Sequence, residues 1–130
     1  MSACLLGRRC RYDGDSRAST EVARALEGRE VVAVCPEELG GLGTPRPAAE
    51  LVEGDGHAVL RGEAQVLRVA DRRDVTAAFV RGATLAAHLG EGATEAILKA
   101  RSPSCGVAVD GVFAALLRER GIKLRTEETL

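Results

Sequence analysis

Two short apolar runs, each leading into a cysteine-bearing loop, constrain the fold of this chain more than any other feature. The first covers residues 31–34 and ends at Cys35-Pro36, and the second covers residues 95–99 and leads to Cys105. A β-branched run such as the first is typical of a strand covered on both faces, and a following proline stops the hydrogen-bond ladder. In open α/β sheets, sites form outside the carboxyl ends of the strands. The pattern therefore predicts two buried strands with a functional site at their ends.

Helical segments alternate with these strands. Residues 19–27, 75–89 and 111–120 repeat apolar side chains at helical spacing, and Asp74 and Asp110 are candidate N-caps of the last two. The face of the second helix that we expect to be buried consists of Val75, Ala78, Phe79, Gly82, Leu85 and Leu89.

The remaining segments complete an α/β pattern. Residues 58–60 and 65–69 are predicted to form a small β-hairpin, residues 122–124 a last strand, and residues 125–130 a frayed polar tail. Alternation of strands and helices predicts a largely parallel sheet flanked by helices in a Rossmann-like layered arrangement. We expect a single domain over residues 1–130.

The composition argues against a nucleic-acid surface and against membrane insertion. The 130 residues include 18 basic and 19 acidic side chains, a formal net charge of -1, and few aromatic side chains, namely Tyr12, Phe79 and Phe113. Nucleic-acid surfaces need a broad basic footprint, and single-strand sites need several stacking aromatics. No apolar run approaches the roughly 18 residues of a membrane span, and no signal peptide is recognisable. We therefore expect a cytoplasmic protein with reduced thiols and no membrane association.

Three of the four cysteines share a context. Cys4 precedes the first turn, while Cys35 and Cys105 follow the two buried strands, so all three can meet in one crevice. Three thiolates and an open coordination position suit a soft metal centre that binds a substrate atom. Two alternatives stay open on these grounds: the cysteines are small buried hydrophobes, or Cys10 completes a closed four-cysteine site with zinc or a cluster. The Pro, Gly, Ser and Glu residues around Cys35 and Cys105 favour a site over core packing.

Five segments of the chain together resemble a known bacterial family. They are SACLLG (2–7), CRYDG (10–14), CPEELGGLGTPRPAAE (35–50), RDVTAAFVRGA (73–83) and ILKARSPSCG (97–106). These segments are similar to the thiouracil desulfurase-like family, formerly a family of unknown function. The most specific parts of the resemblance are the motifs CPExxGGLxxPR and KxRSPSCG. The resemblance implies an enzyme that removes sulfur from a thiolated pyrimidine such as thiouracil, with water replacing C=S by C=O and sulfide released.

A 4Fe-4S cluster is the cofactor that the resemblance implies. It would be held by Cys4, Cys35 and Cys105, and Cys10 would not be a ligand. Family members carry a longer stretch after the SPSCG segment than this chain carries after Gly106. One wall of the substrate pocket is therefore expected to be missing or rebuilt here.

Glu37 and Ser102 match the acid/base pair that the resemblance implies. A carboxylate can activate water or shuttle its proton, and a hydroxyl can hydrogen-bond the ring or relay a proton. Arg46, between two prolines, and Asp13, in the loop after Cys10, are candidate substrate-binding residues.

Two other functions remain as alternatives. Desulfidation of thiolated uridine in tRNA is an activity of related domains that carry an additional domain, and the near-neutral charge argues against it here. A non-enzymatic four-cysteine protein that binds zinc or a closed cluster is the second. We expect a monomer that acts on a small thiolated nucleobase.

Overall fold

The protein is described by a computed structural model that covers residues 1–6, 12–13 and 20–130. The described residues form a 3-10 helix at Ala3–Leu6 and the helices α1 (Thr20–Ala25), α2 (Pro36–Leu39), α3 (Gly56–Leu60), α4 (Thr76–Leu89) and α5 (Val112–Glu119). The strands are β1 (Ala49–Val52), β2 (Gln65–Arg68), β3 (Glu95–Leu98) and β4 (Lys123–Thr126). This mixture of helices and strands confirms the predicted α/β class. The predicted largely parallel sheet is found only in part, because the described strands form two two-stranded sheets, β1–β2 antiparallel and β3–β4 parallel.

The parallel part of the structure is built around β3. Strand β4 pairs with it in parallel, with Leu98 opposite Thr126. On its other side, the Ser2 N–H donates to the Ile97 carbonyl at 3.0 Å. Ser2 in turn forms one parallel bridge with Val34. Four chain segments, namely β4, β3, the residues around Ser2 and the residues around Val34, therefore run side by side and end at the same edge.

The predicted strand at residues 31–34 is wrong in its first part. Val31 is 38% exposed and Val32 is 48% exposed, so neither is covered on both faces. The Met1 amine donates to the Val32 carbonyl at 2.9 Å, but only Val34 forms a bridge. β-Branched residues fit a pleated surface, and the available pairing partner decides whether a ladder forms there.

The predicted hairpin exists with a different first strand. β2 pairs in antiparallel fashion with β1, Ala49 lying opposite Arg68, and residues 58–60 belong to α3. The Asp55 carboxylate accepts a hydrogen bond from the Ala58 N–H at 3.0 Å. This N-cap satisfies a free donor of the first turn and favours a helix over an extended strand.

Helix α4 confirms its predicted length but turns a different face to the core. Its buried residues are Phe79, Gly82, Ala83, Ala86 and Ala87, whereas Leu85 and Leu89 are exposed. Small residues let neighbouring backbones approach closely: a Cβ at Gly82 would lie 1.8 Å from the Pro36 carbonyl oxygen. Helix α4 therefore packs closely against α2, the helix that begins directly after Cys35. The helix begins at Thr76, and Asp74 accepts from the Thr76 N–H at 2.8 Å.

The last helix and strand differ slightly from the expectation. Helix α5 has Gly111 as its N-cap instead of Asp110, because the Asp110 carboxylate is engaged by Arg118 at 2.7 Å. Strand β4 runs through Thr126, which is buried. The start of the predicted frayed tail is therefore part of the sheet. In the part of the chain that the structure describes, no helix has the length and apolar character to cross a membrane.

Candidate active site

Three buried thiols line a single cavity of about 510 Å³. Cys4, Cys35 and Cys105 are buried thiols outside any disulfide. The cavity opens where β3 and the Val34 bridge end, the edge at which the sequence predicts a site. Its other lining residues are Ser2, Ala3, Tyr12, Val34, Pro36, Glu37, Arg46, Ala48, Ala49, Lys99, Ala100, Arg101, Ser102 and Pro103.

Cys4 and Cys35 are brought together by the pairing of the first residues with Val34. The Ala3 N–H donates to the Val34 carbonyl at 2.8 Å, so Cys4 in its 3-10 helix lies next to the residue that follows Val34. Cys35 has extended backbone angles and is the N-cap of α2, with Pro36 in the first turn. A proline there is preorganised for a helix and removes no needed donor.

The Cys105 loop is held by the Ser102 hydroxyl. Ser102 Oγ accepts hydrogen bonds from the Ser104 and Cys105 N–H groups, both at 3.1 Å. The Gly106 N–H donates to the Ser102 carbonyl at 2.8 Å. A Cβ at Gly106 would lie 2.7 Å from that carbonyl oxygen, so the tight turn requires glycine.

Burial raises the pKa of the Cys105 thiol to about 12. A hydrogen bond with the Ser2 side chain lowers this pKa, whereas the negative charges of Glu37 and Cys35 raise it further. Desolvation disfavours the charged form of any buried thiol. These interactions also show that Glu37 and Cys35 act electrostatically on Cys105.

Glu37 forms a largely buried ion pair with Arg46. The two side chains are 15% and 4% exposed, and Arg46 Nε lies 3.2 Å from Glu37 Oε1. Arg46 Nη1 donates to the Gly43 carbonyl at 2.8 Å and to Thr44 Oγ1 at 2.9 Å. Arg46 Nη2 lies 4.0 Å from the Cys35 sulfur. The guanidinium thus links the candidate acid/base residue to a candidate ligand.

The family model described as 2-thiouracil desulfurase matches residues 1–129. This chain belongs to the 2-thiouracil desulfurase family. The family prediction from the sequence motifs is therefore confirmed.

Two individual proteins are similar to this family member along its length. A Bacillus subtilis (strain 168) protein called YbbK, described as uncharacterized, is 38% identical over 145 aligned residues, which cover 100% of this chain and 95% of that protein. The solved structure of a 4Fe-4S-dependent thiouracil desulfidase, TudS, is 41% identical with a TM-score of 0.83, covering 99% of this chain and 89% of that one.

The donor set of this desulfurase-family chain fits an iron-sulfur cofactor. Cysteine thiolates are the usual ligands of such clusters, and the cavity is lined by three buried thiols. Among the residues with described positions, no three His, Cys, Asp or Glu side chains are grouped so as to hold one metal ion. A cluster binds each thiolate through a different iron, so its ligands do not need to converge on one point. Cys10 lies outside the described residues, and the four-cysteine alternative stays untested.

Sequence reasoning missed Ser2 and Tyr12 as lining residues and left the prediction for Asp13 open. Tyr12 lines the cavity, and its carbonyl accepts from the Arg46 N–H at 2.7 Å. Asp13 is exposed and does not line the cavity, so its substrate contact stays a prediction. The sequence signals for Tyr12 were its rarity as an aromatic residue and its place in the CRYDG segment.

Proposed function

We propose that this protein is a desulfurase that replaces the sulfur of a small thiolated pyrimidine, such as thiouracil, by oxygen from water. Water supplies the oxygen that bonds to the ring carbon, and the sulfur leaves as hydrogen sulfide. One observation carries the proposal: in a chain of this family, three buried thiols open into a cavity that also contains Glu37 and Ser102.

Cys4, Cys35 and Cys105 are the proposed ligands of a 4Fe-4S cluster. When bound by three thiolates, such a cluster leaves one iron without a protein ligand as a Lewis acid for the departing sulfur. The three thiols come from separate chain segments and are buried, which supports their role as an enclosed ligand set.

Glu37 is the proposed acid/base residue. Its Oε1 is engaged by Arg46 and its side chain lines the cavity, so its second oxygen is the proposed acceptor of a proton from water. Positioned general bases contribute about 10² to 10⁴ in rate. Arg46 fixes the carboxylate and is the proposed contact for the polar edge of the substrate.

Ser102 is the proposed hydroxyl partner of the ring. Its oxygen accepts two backbone N–H groups, and a serine hydroxyl still has one hydrogen to donate. The loop therefore orients this O–H while it positions Cys105.

The size of the cavity supports a small substrate. Its volume of about 510 Å³ lies within the roughly 300–1,000 Å³ of typical small-molecule sites. We propose that the protein works in the cytoplasm, because the proposed ligands must be reduced thiols. We also propose that it acts as a monomer.

The ligand assignment is tested by anaerobic purification and counting of iron and sulfide. We expect about four irons per chain in the wild type. The variants Cys4→Ser, Cys35→Ser and Cys105→Ser should lose them, and the matched control Cys10→Ser should retain them. Stoichiometric zinc, or loss of metal with Cys10→Ser, would contradict the assignment.

The substrate class is tested with the reconstituted protein and 2-thiouracil. We expect sulfide and uracil in equal amounts. Absence of sulfide would overturn the proposal, and faster sulfur loss from thiolated tRNA than from the free base would favour the tRNA alternative.

A further inference from the structure

A carboxylate from the C-terminal segment holds the chain just before Ser102. Glu127 accepts a hydrogen bond from the Ala100 N–H, at 2.6 Å to Oε1 and 3.3 Å to Oε2. Its Oε2 also lies 3.8 Å from Lys99 Nζ, and both side chains are largely buried. Lys99 Nζ donates to the Ala100 carbonyl at 2.9 Å. One carboxylate thus contacts both residues that connect β3 to the cavity loop.

The parallel register explains why Glu127 reaches this point. Leu98 lies opposite Thr126, so the residues after β3 and after β4 leave the sheet at the same edge. The segment after β4 is itself organised, because the Thr126 N–H donates to Thr129 Oγ1 at 3.0 Å and the Thr129 N–H donates to the Thr126 carbonyl at 3.2 Å. This turn keeps Glu127 directed at Ala100.

The residues that Glu127 contacts lead the chain from β3 to the wall of the cavity. Lys99, Ala100 and Arg101 line the cavity together with Ser102. Arg101 adopts a positive φ of 61°, a conformation that a non-glycine residue keeps only when its surroundings impose it. The hydrogen bond from the Ala100 N–H is charge-assisted, because its acceptor is a carboxylate, and such bonds are stronger than hydrogen bonds between neutral groups.

We infer that Glu127 is a positioning residue for desulfuration. It fixes Lys99 and Ala100, which connect β3 to the cavity loop, and thereby fixes the location of the Ser102 hydroxyl in the cavity. This inference rests on the proposed function for its kinetic consequence. Its structural part concerns the protein alone, with or without a cofactor.

The test compares Glu127→Ala and Glu127→Gln with the wild type. In the cluster-free protein, NMR-detected hydrogen exchange at the amides of Ala100, Ser102 and residues 104–106 should accelerate about tenfold in Glu127→Ala, because a charge-assisted hydrogen bond is lost. In the reconstituted enzyme, kcat should fall about 10- to 100-fold with KM for thiouracil changed less than about threefold. Glu127→Gln keeps an oxygen acceptor and should recover most of both.

The matched control is Glu63→Ala. Glu63 pairs with Arg61 at the exposed surface, and neither residue lines the cavity, so its loss should leave exchange and kcat within about twofold of the wild type. Unchanged exchange at Ala100 in Glu127→Ala, equal acceleration throughout α4, or an unchanged kcat would each overturn the inference. If the wild type released no sulfide, the proposed function would fail, and the exchange comparison would still decide whether Glu127 holds the loop.

Discussion

Two arginine–carboxylate contacts in this protein have the same chemistry and different surroundings. At the cavity, Arg46 meets Glu37 through one 3.2 Å contact, and the guanidinium is 4% exposed. On the far side of the Cys105 loop, Arg118 contacts both oxygens of Asp110, at 2.7 and 3.0 Å, but its side chain is 47% exposed. Geometry alone would rank the second contact higher. Burial of the arginine and the number of partners reverse this order. Water screens Arg118, and His57 still contacts Asp110 at 2.7 Å when Arg118 is removed, whereas removal of buried Arg46 leaves Glu37 without its ion-pair partner.

The sharpest test of this comparison replaces each arginine by alanine. We expect Arg46→Ala to lower the free energy of unfolding by about 3 kcal/mol and to reduce kcat at least about 100-fold, because Glu37 is no longer held. Arg118→Ala should cost within about 1 kcal/mol and retain activity. Urea unfolding and sulfide release measure the two effects. Equal losses of stability would show that burial does not separate the contacts.

The next effect isolates the carboxylate from its partner. Glu37→Gln keeps the shape of the side chain and its acceptor toward Arg46, but it removes the base. We expect kcat to fall about 100-fold while the cluster content, measured by iron counting, stays at the wild-type level. Retained activity would move the acid/base role away from Glu37.

The smallest effect concerns His57, whose ring contacts the carboxylates of Glu119 and Asp110. Hydrogen bonds to Glu119 and then to Asp110 raise the pKa of His57; Asp55 and Arg118 are the other charged groups nearby. A raised folded-state pKa contributes stability that is fully present below the unfolded value of about 6.5 and is lost as pH rises through the folded value. The wild type should therefore lose up to about 1 kcal/mol of stability between mildly acidic and alkaline pH.

His57→Gln should flatten this part of the pH profile, measured by urea unfolding across the range. His88→Gln is the matched control, because His88 lies on the exposed side of α4 and its replacement should leave the profile unchanged. An identical pH profile in wild type and His57→Gln would show that His57 does not contribute to the pH dependence of stability.

Part of the fold followed from local signals alone. The apolar run before Cys105 formed β3 as predicted, and α4 ended at Gly90, because both depend on residues close in sequence. The strand predicted at residues 58–60 was wrong because the Asp55 cap outweighed the short apolar run. The face of α4 was partly wrong for a tertiary reason. Gly82 and the alanines allow α2 and α5 to approach, and Leu85 is left outside.

By itself, the sequence determined the family and the three thiols at strand ends, since motif, spacing and strand order are properties of the chain. Only the tertiary structure decided which side chains surround those thiols. The contacts of Tyr12 with Arg46 and of Glu127 with Ala100 join residues far apart along the chain. Such contacts depend on strand register and helix packing. Glu127 carries no local signal of its place at the site, and the CRYDG segment does not by itself show that Tyr12 contacts Arg46.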